Sequence, residues 1–484
     1  MGALDNLEPK SVFHFFEEIT QIPHGSNNVQ AISDYLVKFA KDRNFEYIQD
    51  DARNVIIFGN ATKGYEDKDP IILQGHMDMV AVHDADYDID MATEPLKPMT
   101  DGKKIWAEGT SLGGDDGIAV AYCLALLDSD TIPHPRLEVV ITTNEETGMD
   151  GAFAIDLSPL KGRKLINIDS ETEGVLLTSC AGGARFYARL PITKVHRSGI
   201  AYDIEVSGLL GGHSGTEIIK EHGNANVLLG RILAYVSEQT KDSCLSLASI
   251  DGGVADNAIP VNSKATVVVS EEVSEDAIVK SVSEIESVVK TELSIKDPGV
   301  KFTVTKKSKG TFDCFDAESM KKTYRLIMAL PNGIQAMSAS VPGLVETSLN
   351  LGVVVTKDNT VTLEFAVRSS VDSSKDNLLK RLEYITAAFG ARSEISASYP
   401  GWPFNPESKL REHMIDVFKK MYGREPRIEA LHAGVECGLF GKKLEGLDCI
   451  SIGPDMEGVH TTAEKLSVES AARTFEYLCE VLRT

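Results

Sequence analysis

Short apolar runs that end in histidine or acidic side chains constrain the fold of this chain more than any other feature. Such runs begin at Ile71, Val139 and Leu165, and a histidine or an acidic residue follows each within a few positions. A short continuous apolar run is typical of a strand buried in a parallel sheet. Open α/β sheets bind ligands beyond the carboxyl ends of their strands. We therefore expect an α/β fold in which polar side chains at several strand ends converge on one site.

The side chains at these strand ends are of the types that bind hydrolytic metals. Imidazoles and carboxylates without cysteine thiolates suit a zinc, cobalt or manganese site. The candidates are too many for one tetrahedral site with an open position, so the sequence predicts a two-metal hydrolase. In chain order, the candidate ligands and their neighbours are His76, Asp78, Asp115, Glu145, Glu146, Asp169 and His460.

The pair His76 and Asp78 is weak evidence when it is taken alone. Two positions apart on an extended segment, the two side chains face the same side. Asp78 can then fix the ring of a metal-bound His76, as carboxylates commonly do for such histidines. A histidine that is merely hydrogen-bonded within a loop is the alternative, and the pair alone leaves it open.

The glycine-rich stretch 109–117 resembles a phosphate-binding loop only superficially. Asp115 and Asp116 would repel a phosphate, and no Gly-Lys-Ser/Thr sequence follows them. The glycines instead favour a tight approach that lets one carboxylate bridge two cations. The helix predicted after this stretch offers its N-terminus to such an anionic group.

Two adjacent glutamates, Glu145 and Glu146, follow the second apolar run. Like charges at close range raise a pKa, so the pair is costly unless cations compensate it. A solvated loop is the alternative for the pair alone. With metals present, one carboxylate of the pair can bind a cation while the other takes a proton from metal-bound water. Metal binding lowers the pKa of that water to roughly 7.

Composition excludes several classes of protein. The chain of 484 residues has 72 acidic and 49 basic residues, a net charge of −23, which argues against a nucleic-acid partner. Its seven cysteines are scattered without a CxxC pair, so we expect reduced core residues. The N-terminal residues form no secretory leader, and no apolar stretch approaches the ~20 residues that span a bilayer. These features predict a cytoplasmic protein that has no contact with membranes.

The order of predicted elements indicates a catalytic domain interrupted by an insertion. Helices at 7–22, 29–43 and 117–127 alternate with strands at 54–59 and before 76 and 144. Later strands and helices (202–207, 224–238, 246–250, 264–270, 275–293, 301–306) suggest an α+β ferredoxin-like unit. A second round (318–330, 348–356, 360–369, 375–389, 394–398) raises duplication as an alternative. We predict a discontinuous catalytic domain, 1–186 and 399–484, and a lid domain, 187–398.

Several motifs also resemble a known family when they are taken in order. The set His76-Met77-Asp78, Gly114-Asp115-Asp116-Gly117, Glu145-Glu146, Asp169-Ser170-Glu171 and His460 resembles that of the co-catalytic zinc aminopeptidase and carboxypeptidase clan. Within this clan the chain is most similar to the aminoacyl-histidine dipeptidase (peptidase D, or cytosol non-specific dipeptidase) family. Segments 74–80, 167–174 and 432–440 carry the closer match, and the resemblance covers essentially the whole chain.

The resemblance implies a di-zinc peptidase fold with a central mixed sheet and a role for each metal-site residue. Asp115 would bridge two Zn²⁺ ions, which Co²⁺ or Mn²⁺ could replace. His76 and Asp169 would complete one site, and Glu146 and His460 the other. Glu145 would be the general base and later the proton donor to the leaving amine. Gly458-Val459 replaces the family's phenylalanine-proline lead into the last histidine.

The resemblance also implies roles for residues of the lid. His213, flanked by glycines, resembles the lid histidine that stabilises the tetrahedral oxyanion; the alternative is a surface-loop histidine. Asn257 and Arg368 resemble the pair that holds the substrate's carboxylate, although an arginine at a strand end is more often a surface cation. Glu436 is our choice of acceptor for the free α-amine.

The function predicted from these residues is hydrolysis of unblocked dipeptides. The expected substrates are Xaa-His dipeptides, including carnosine-like ones, and a broad range of other dipeptides. A deacylase of N-acyl amino acids is the alternative within the clan, and it would not need Glu436. A metal-binding scaffold without turnover is a remote third candidate, because no ligand or base is missing. The sequence leaves both a monomer and a homodimer open.

Overall fold

The computed structural model describes residues 2–240 and 244–484, which form two compact units. Unit 1 comprises residues 2–179 with Phe404–Ala430 and Val435–Thr484. Unit 2 comprises Cys180–Pro403 and the short segment Leu431–Gly434. Unit 2 begins a few residues before the predicted limit of 187 because Gly182–Pro191 is a strand of the unit 2 sheet. The action of this unit as a lid stays a prediction.

Unit 1 is built on a mixed sheet, and the chain has the α/β fold that the apolar runs predict. Three parallel ladders join the strand Ile71–His76 to Leu137–Thr142 and Lys164–Asn167, and the last of these to Asp448–Ser451. The carboxyl ends of these strands therefore meet at one edge of the sheet. The strand order is Glu46–Gln49, Val55–Gly59, Leu137–Thr142, Ile71–His76, Lys164–Asn167, Asp448–Ser451, Val175–Cys180 and Arg427–Leu431.

Helices of unit 1 pack their apolar faces into one core with this sheet. Lys10–Thr20 buries Val12, Phe15, Phe16 and Ile19 at helical spacing, whereas Gly114–Leu127 is buried along its whole length. The other helices are Gln30–Asp42, Asp150–Ala154, Lys409–Tyr422, Cys437–Lys443 and Val468–Arg483. A small second sheet contains Met456–Glu457, Lys465–Ser467, Lys104–Ala107 and Pro98–Thr100.

Unit 2 contains an antiparallel sheet that takes in both rounds of elements predicted for the insertion. Its strand order is Lys301–Phe315, Lys194–Ser207, Ser263–Val269, Leu245–Gly252, Val345–Lys357, Thr360–Ser369, Gly182–Pro191 and Arg392–Tyr399, and Gly333–Met337 also pairs with Val345–Lys357. The helices are Ala225–Gln239, Glu275–Glu292, Ala317–Ala329 and Asp372–Ala388, with a short 3₁₀ turn at Ile218–Lys220. The strands Gly212–His213 and Ala258–Ile259 form a separate two-stranded ladder. Duplication of a ferredoxin-like unit stays a prediction.

Six of the seven cysteines are buried and the seventh, Cys479, is partly buried. Among the described residues, no helix combines the length and the apolar character needed to cross a bilayer.

Candidate metal centre

Strand ends and two loops position the predicted ligands in unit 1. His76 ends its strand and is paired in register with Thr142, which ends the neighbouring strand three residues before Glu145. Asp169 follows the end of the strand Lys164–Asn167. Two further predicted ligands, Asp115 and His460, lie outside the main sheet. Asp115 is at the start of the helix Gly114–Leu127, and His460 follows the short strand Met456–Glu457.

Asp115 lies between two histidines that are far apart in sequence. Its Oδ1 lies 3.1 Å from His76 Nε2, and its Oδ2 lies 3.1 Å from His460 Nε2. His76 Nε2 is also 3.5 Å from Asp169 Oδ1. His460 Nε2 is 2.9 Å from Glu146 Oε1. The five predicted ligands are therefore together, with one carboxylate shared between two histidine-carboxylate pairs.

Two overlapping groups of donor atoms in this cluster could each hold a metal ion. One group is His76, Asp115 and Glu146, and the other is His76, Asp116 and Asp169, with ligand atoms within 4.8 Å of one another. Asp116 was not among the predicted ligands. Asp116 Oδ2 accepts a hydrogen bond from the backbone N–H of His76 at 3.2 Å, and its buried Oδ1 has no partner among the described residues.

The electrostatics of this cluster fit divalent cations. Burial raises the pKa of Asp169 to about 7 although the nearby His76 lowers it. Burial and then the Asp169 charge raise the pKa of Glu145 well above its usual value. Hydrogen bonds that the His460 ring donates to Asp115 and then to Glu146 raise the pKa of His460 to about 10. Several acidic groups in one buried place hold protons unless another positive charge replaces them. Divalent metal ions with nitrogen and oxygen ligands are such charges.

Asp78 contacts both His76 and the predicted base, but not in the way that the spacing suggests. The His76 Nδ1–H donates to the Asp78 backbone carbonyl at 2.9 Å, whereas the Asp78 carboxylate is 3.7 Å from that nitrogen. The carboxylate instead accepts from the Glu145 backbone N–H at 3.1 Å and from the Ser26 hydroxyl at 2.8 Å. The predicted contact of the carboxylate with the ring is thus made by the main chain, which leaves the His76 Nε2 lone pair free for a metal.

Glu436 belongs to a buried polar layer beneath the ligands. Its Oε2 accepts from Gln74 Nε2 at 2.5 Å and from the Thr142 hydroxyl at 2.7 Å. Gln74 Oε1 in turn accepts from Asn167 Nδ2 at 2.6 Å. Burial raises the pKa of Glu436 to about 8, and its Oε1 is buried without a partner among the described residues. The layer ties together the strands that present His76 and Asp169.

Unit 2 places His213 and Arg368 near each other. The backbone N–H groups of Gly215 and Thr216 donate to His213 Nδ1 at 3.3 and 3.2 Å, so the ring proton of a neutral His213 lies on Nε2. Burial and then the Arg368 guanidinium lower the pKa of His213. Arg368 donates to the Tyr399 hydroxyl at 3.3 Å, and its buried Nε has no partner among the described residues.

Asn257 lies on the segment next to His213, and its side chain is exposed. Its backbone carbonyl accepts from the Ser214 N–H at 2.8 Å. A fourth residue of this region, His432, was not predicted from the sequence. His432 is buried, its Nε2 lies 2.7 Å from Ser348 Oγ, and burial followed by the Arg368 charge lowers its pKa to about 3. The segment 432–440 was recognisable as a motif, but only Glu436 was selected from it.

Comparisons with known proteins agree with this arrangement. The model of peptidase family M20/M25/M40 matches residues 72–484. The cytosol non-specific dipeptidase of Escherichia coli (strain K12) is 36% identical over 485 residues, which cover 100% of this chain and 99% of the relative. The crystal structure of aminoacylhistidine dipeptidase from Vibrio alginolyticus has a TM-score of 0.92 and 35% identity, covering 99% of this chain and 97% of that one.

A more distant structure shares the fold alone. The aminopeptidase PepT from Bacillus cereus ATCC 10987 has a TM-score of 0.55 and 17% identity, and covers 99% of this chain and 98% of its own. Both full-length relatives at about one-third identity, like the family model, span the segments that carry the clustered ligands. This chain belongs to peptidase family M20/M25/M40.

Proposed function

We propose that this chain is a dipeptidase that hydrolyses unblocked dipeptides with two zinc ions held in unit 1. The observation that carries the proposal is the position of Asp115 between His76 and His460, with Asp169 and Glu146 beside them. The names of the Escherichia coli and Vibrio relatives support dipeptides, Xaa-His dipeptides among them, as substrates. The Escherichia coli name also supports a cytoplasmic location. Homodimer formation stays a prediction.

The ligand roles follow from the pairs of neighbouring side chains. Asp115 would bridge the two ions, His76 and Asp169 would hold one, and Glu146 and His460 the other. When bound, such ions lower the pKa of water and polarise a carbonyl group. Co²⁺ or Mn²⁺ would suit the same nitrogen and oxygen ligands. The Asp78 carbonyl keeps the His76 ring in the orientation that this role requires.

Glu145 is the proposed general base. Its backbone N–H is held by Asp78, and its carboxyl group lies in the same acidic cluster as Asp169. In the reaction Glu145 would take a proton from the attacking water. It would then give that proton to the leaving amine as the peptide bond breaks.

His213 and Arg368 are the proposed contributions of unit 2. The hydrogen bonds to His213 Nδ1 leave the Nε2–H as a donor, which suits stabilisation of an oxyanion. The unpartnered Nε of Arg368 and its planar fork suit a substrate carboxylate, with Asn257 as a second donor. The unpartnered Oε1 of Glu436 suits a hydrogen bond from the substrate ammonium group.

Truncation of Arg368 tests the carboxylate role. Arg368→Ala is expected to raise KM for dipeptides roughly 10–100-fold, because a hydrogen bond to a charged group is worth ~1.5–3 kcal/mol. KM for the same dipeptides with an amidated C-terminus should change little. Steady-state kinetics on both substrate series measures the difference. Arg189→Ala, which removes a surface arginine paired with Glu394 in the same sheet, is the matched control. Equal losses on the two series would mean that Arg368 does not hold the carboxylate.

A substrate panel tests the proposed function against the deacylase alternative. The purified chain is assayed with dipeptides and with the matched N-acetyl amino acids, each with added Zn²⁺, Co²⁺ or Mn²⁺. We expect turnover of the dipeptides and little turnover of the N-acetyl compounds, because the latter lack the ammonium group. The reverse preference would assign a deacylase, and no turnover with any metal would contradict both enzymatic proposals.

A further inference from the structure

Glu464 is a buried carboxylate that the proposed mechanism does not use. Its side chain is among the buried polar groups, with 3% exposure, and it lies immediately before the short strand Lys465–Ser467. A buried carboxylate is costly unless hydrogen bonds or cations compensate it. The partners of Glu464 therefore indicate what the group does in this position.

Four successive backbone amides surround the Glu464 carboxylate. Oε2 accepts from the N–H groups of Leu112 and Gly113 at 2.8 and 3.2 Å. Oε1 accepts from Gly114 and Asp115 at 2.8 and 3.4 Å. These amides lead into the helix Gly114–Leu127, but they precede its regular part, because Asp115 and Asp116 have non-helical backbone angles. A carboxylate remote in sequence thus holds the segment that enters the helix.

The residues of this stretch leave no room for a local cap. Gly113 stands at the N-cap position with φ +69°, a conformation that glycine adopts readily, and it has no side chain that could accept a hydrogen bond. A Cβ atom at Gly114 would lie 3.2 Å from Glu464 Oε1. Glycines at these positions let the carboxylate approach the main chain closely.

The same carboxylate joins the two loops that carry the histidine and the aspartate of one proposed site. Glu464 is four residues after His460, and a hydrogen-bonded turn connects them: the Thr461 N–H donates to Gly458 and the Glu464 N–H donates to Thr461. The Glu464 carboxylate also accepts from the backbone N–H of Asp115. The side chain of Asp115 lies 3.1 Å from His460 Nε2. Glu464 is the only residue described here that hydrogen-bonds all four amides from 112 to 115.

We infer that Glu464 is a positioning residue of the metal centre, which holds the backbone of Asp115 at a fixed distance from the loop of His460. The inference rests on the proposed function, because it concerns the affinity of the same centre for metal. Groups that orient metal ligands from outside the ligand set commonly contribute 10–100-fold in metal affinity. Loss of Glu464 should therefore lower the affinity for the metal ion that Asp115, Glu146 and His460 would hold.

The test is Glu464→Gln, which keeps the shape of the side chain but offers one acceptor oxygen and an NH₂ group to four N–H donors. Glu138→Gln is the matched control. Glu138 is likewise a buried glutamate on backbone amides, those of Lys161 and Gly162, but it lies away from the ligand loops. The two variants carry the same chemical change, although Glu138 accepts from two amides rather than four and also pairs with Arg136 at 3.3 Å.

Two measurements separate a positioning role from a general loss of stability. Hydrogen–deuterium exchange on the metal-free proteins should show faster exchange over 112–115 in Glu464→Gln and over 161–162 in Glu138→Gln. Titration with Co²⁺, followed by visible absorption, should show one of two sites weakened roughly 10–100-fold in Glu464→Gln. Both sites should keep the affinity of the wild type in Glu138→Gln.

Defined outcomes would overturn the inference. Wild-type Co²⁺ affinities and spectrum in Glu464→Gln would do so, as would an equal weakening in Glu138→Gln. If Glu464→Gln does not fold, Gly114→Ala applies a milder test from the other side of the contact. Its Cβ would lie 3.2 Å from Glu464 Oε1 and from Met456 Sδ, which have to shift by a few tenths of an ångström, so the same pattern is expected with smaller changes. Absence of Co²⁺ binding by the wild type would contradict the proposed function instead, and the exchange data would still decide whether Glu464 holds 112–115.

Discussion

Glu145→Gln is expected to lower kcat by at least two orders of magnitude while both metals stay bound. The amide keeps the shape of the side chain but cannot take a proton from water, and a general base contributes ~10²–10⁴-fold. The backbone N–H of Glu145 also donates to the Asp78 carboxylate, and the substitution leaves this hydrogen bond intact. Steady-state kinetics with a dipeptide, together with elemental analysis of the same preparation, measures both effects.

The neighbouring residue provides the comparison for this prediction. Glu146 contacts His460 at 2.9 Å, so Glu146→Gln should lower metal content and recover part of its activity at high metal concentration. Glu145→Gln should not respond to added metal. If Glu145→Gln lost metal and Glu146→Gln kept it, the roles of the two glutamates would have to be exchanged.

Removal of the metals is expected to abolish activity, and two equivalents of a divalent ion per chain should restore it. The reason is the ligand set around Asp115, in which two histidines and several carboxylates converge. In the metal-free chain burial raises the pKa of Asp169 to about 7, so this carboxyl group is protonated below that pH and ionised above it. Metal binding at pH 6 should therefore release more protons than binding at pH 8.

Calorimetric titration of the metal-free chain in buffers of different ionisation enthalpy measures both quantities. The stoichiometry comes from the midpoint, and proton release comes from the dependence of the heat on the buffer. His76→Ala, which removes a proposed ligand beside Asp115, serves as the reference for a damaged centre. Full activity with one metal or none, or equal proton release at the two pH values, would contradict the two-metal assignment.

The pattern of apolar residues predicted those helices and strands that bury an apolar face in the core. The strand Val55–Gly59 and the helices Lys10–Thr20 and Gln30–Asp42 lie within a few residues of their expected limits, because each packs an apolar face into the core. Lys301–Phe315 is much longer than the predicted strand 301–306. Its later residues are mostly exposed and pair only with Lys194–Ser207, so no alternation of apolar side chains marks them.

The candidate site was predictable where ligand chemistry coincided with a strand end. His76, Asp169 and Glu146 were selected in this way, and the structure brings them together with Asp115 and His460. Contacts made by main-chain groups could not be predicted from the sequence in this way. The Asp78 carbonyl on His76 and the amides on Glu464 depend on loop conformation, which residue types alone do not specify.

The four residues Leu431–Gly434 decide which parts of the chain must be kept together when unit 2 is exchanged. Their hydrogen bonds include those from the Ala181 N–H to the carbonyls of Leu431 and Ala433, so they belong structurally to unit 2 although unit 1 flanks them on both sides. The continuous block 180–403 is therefore not the whole of unit 2, because four residues of this unit lie later in the chain. Replacement of that block alone by the block of another protein would exchange Ser348 but keep His432, so the 2.7 Å contact between their side chains would be made only if the incoming residue fitted His432. A functional exchange of unit 2 therefore has to include 431–434.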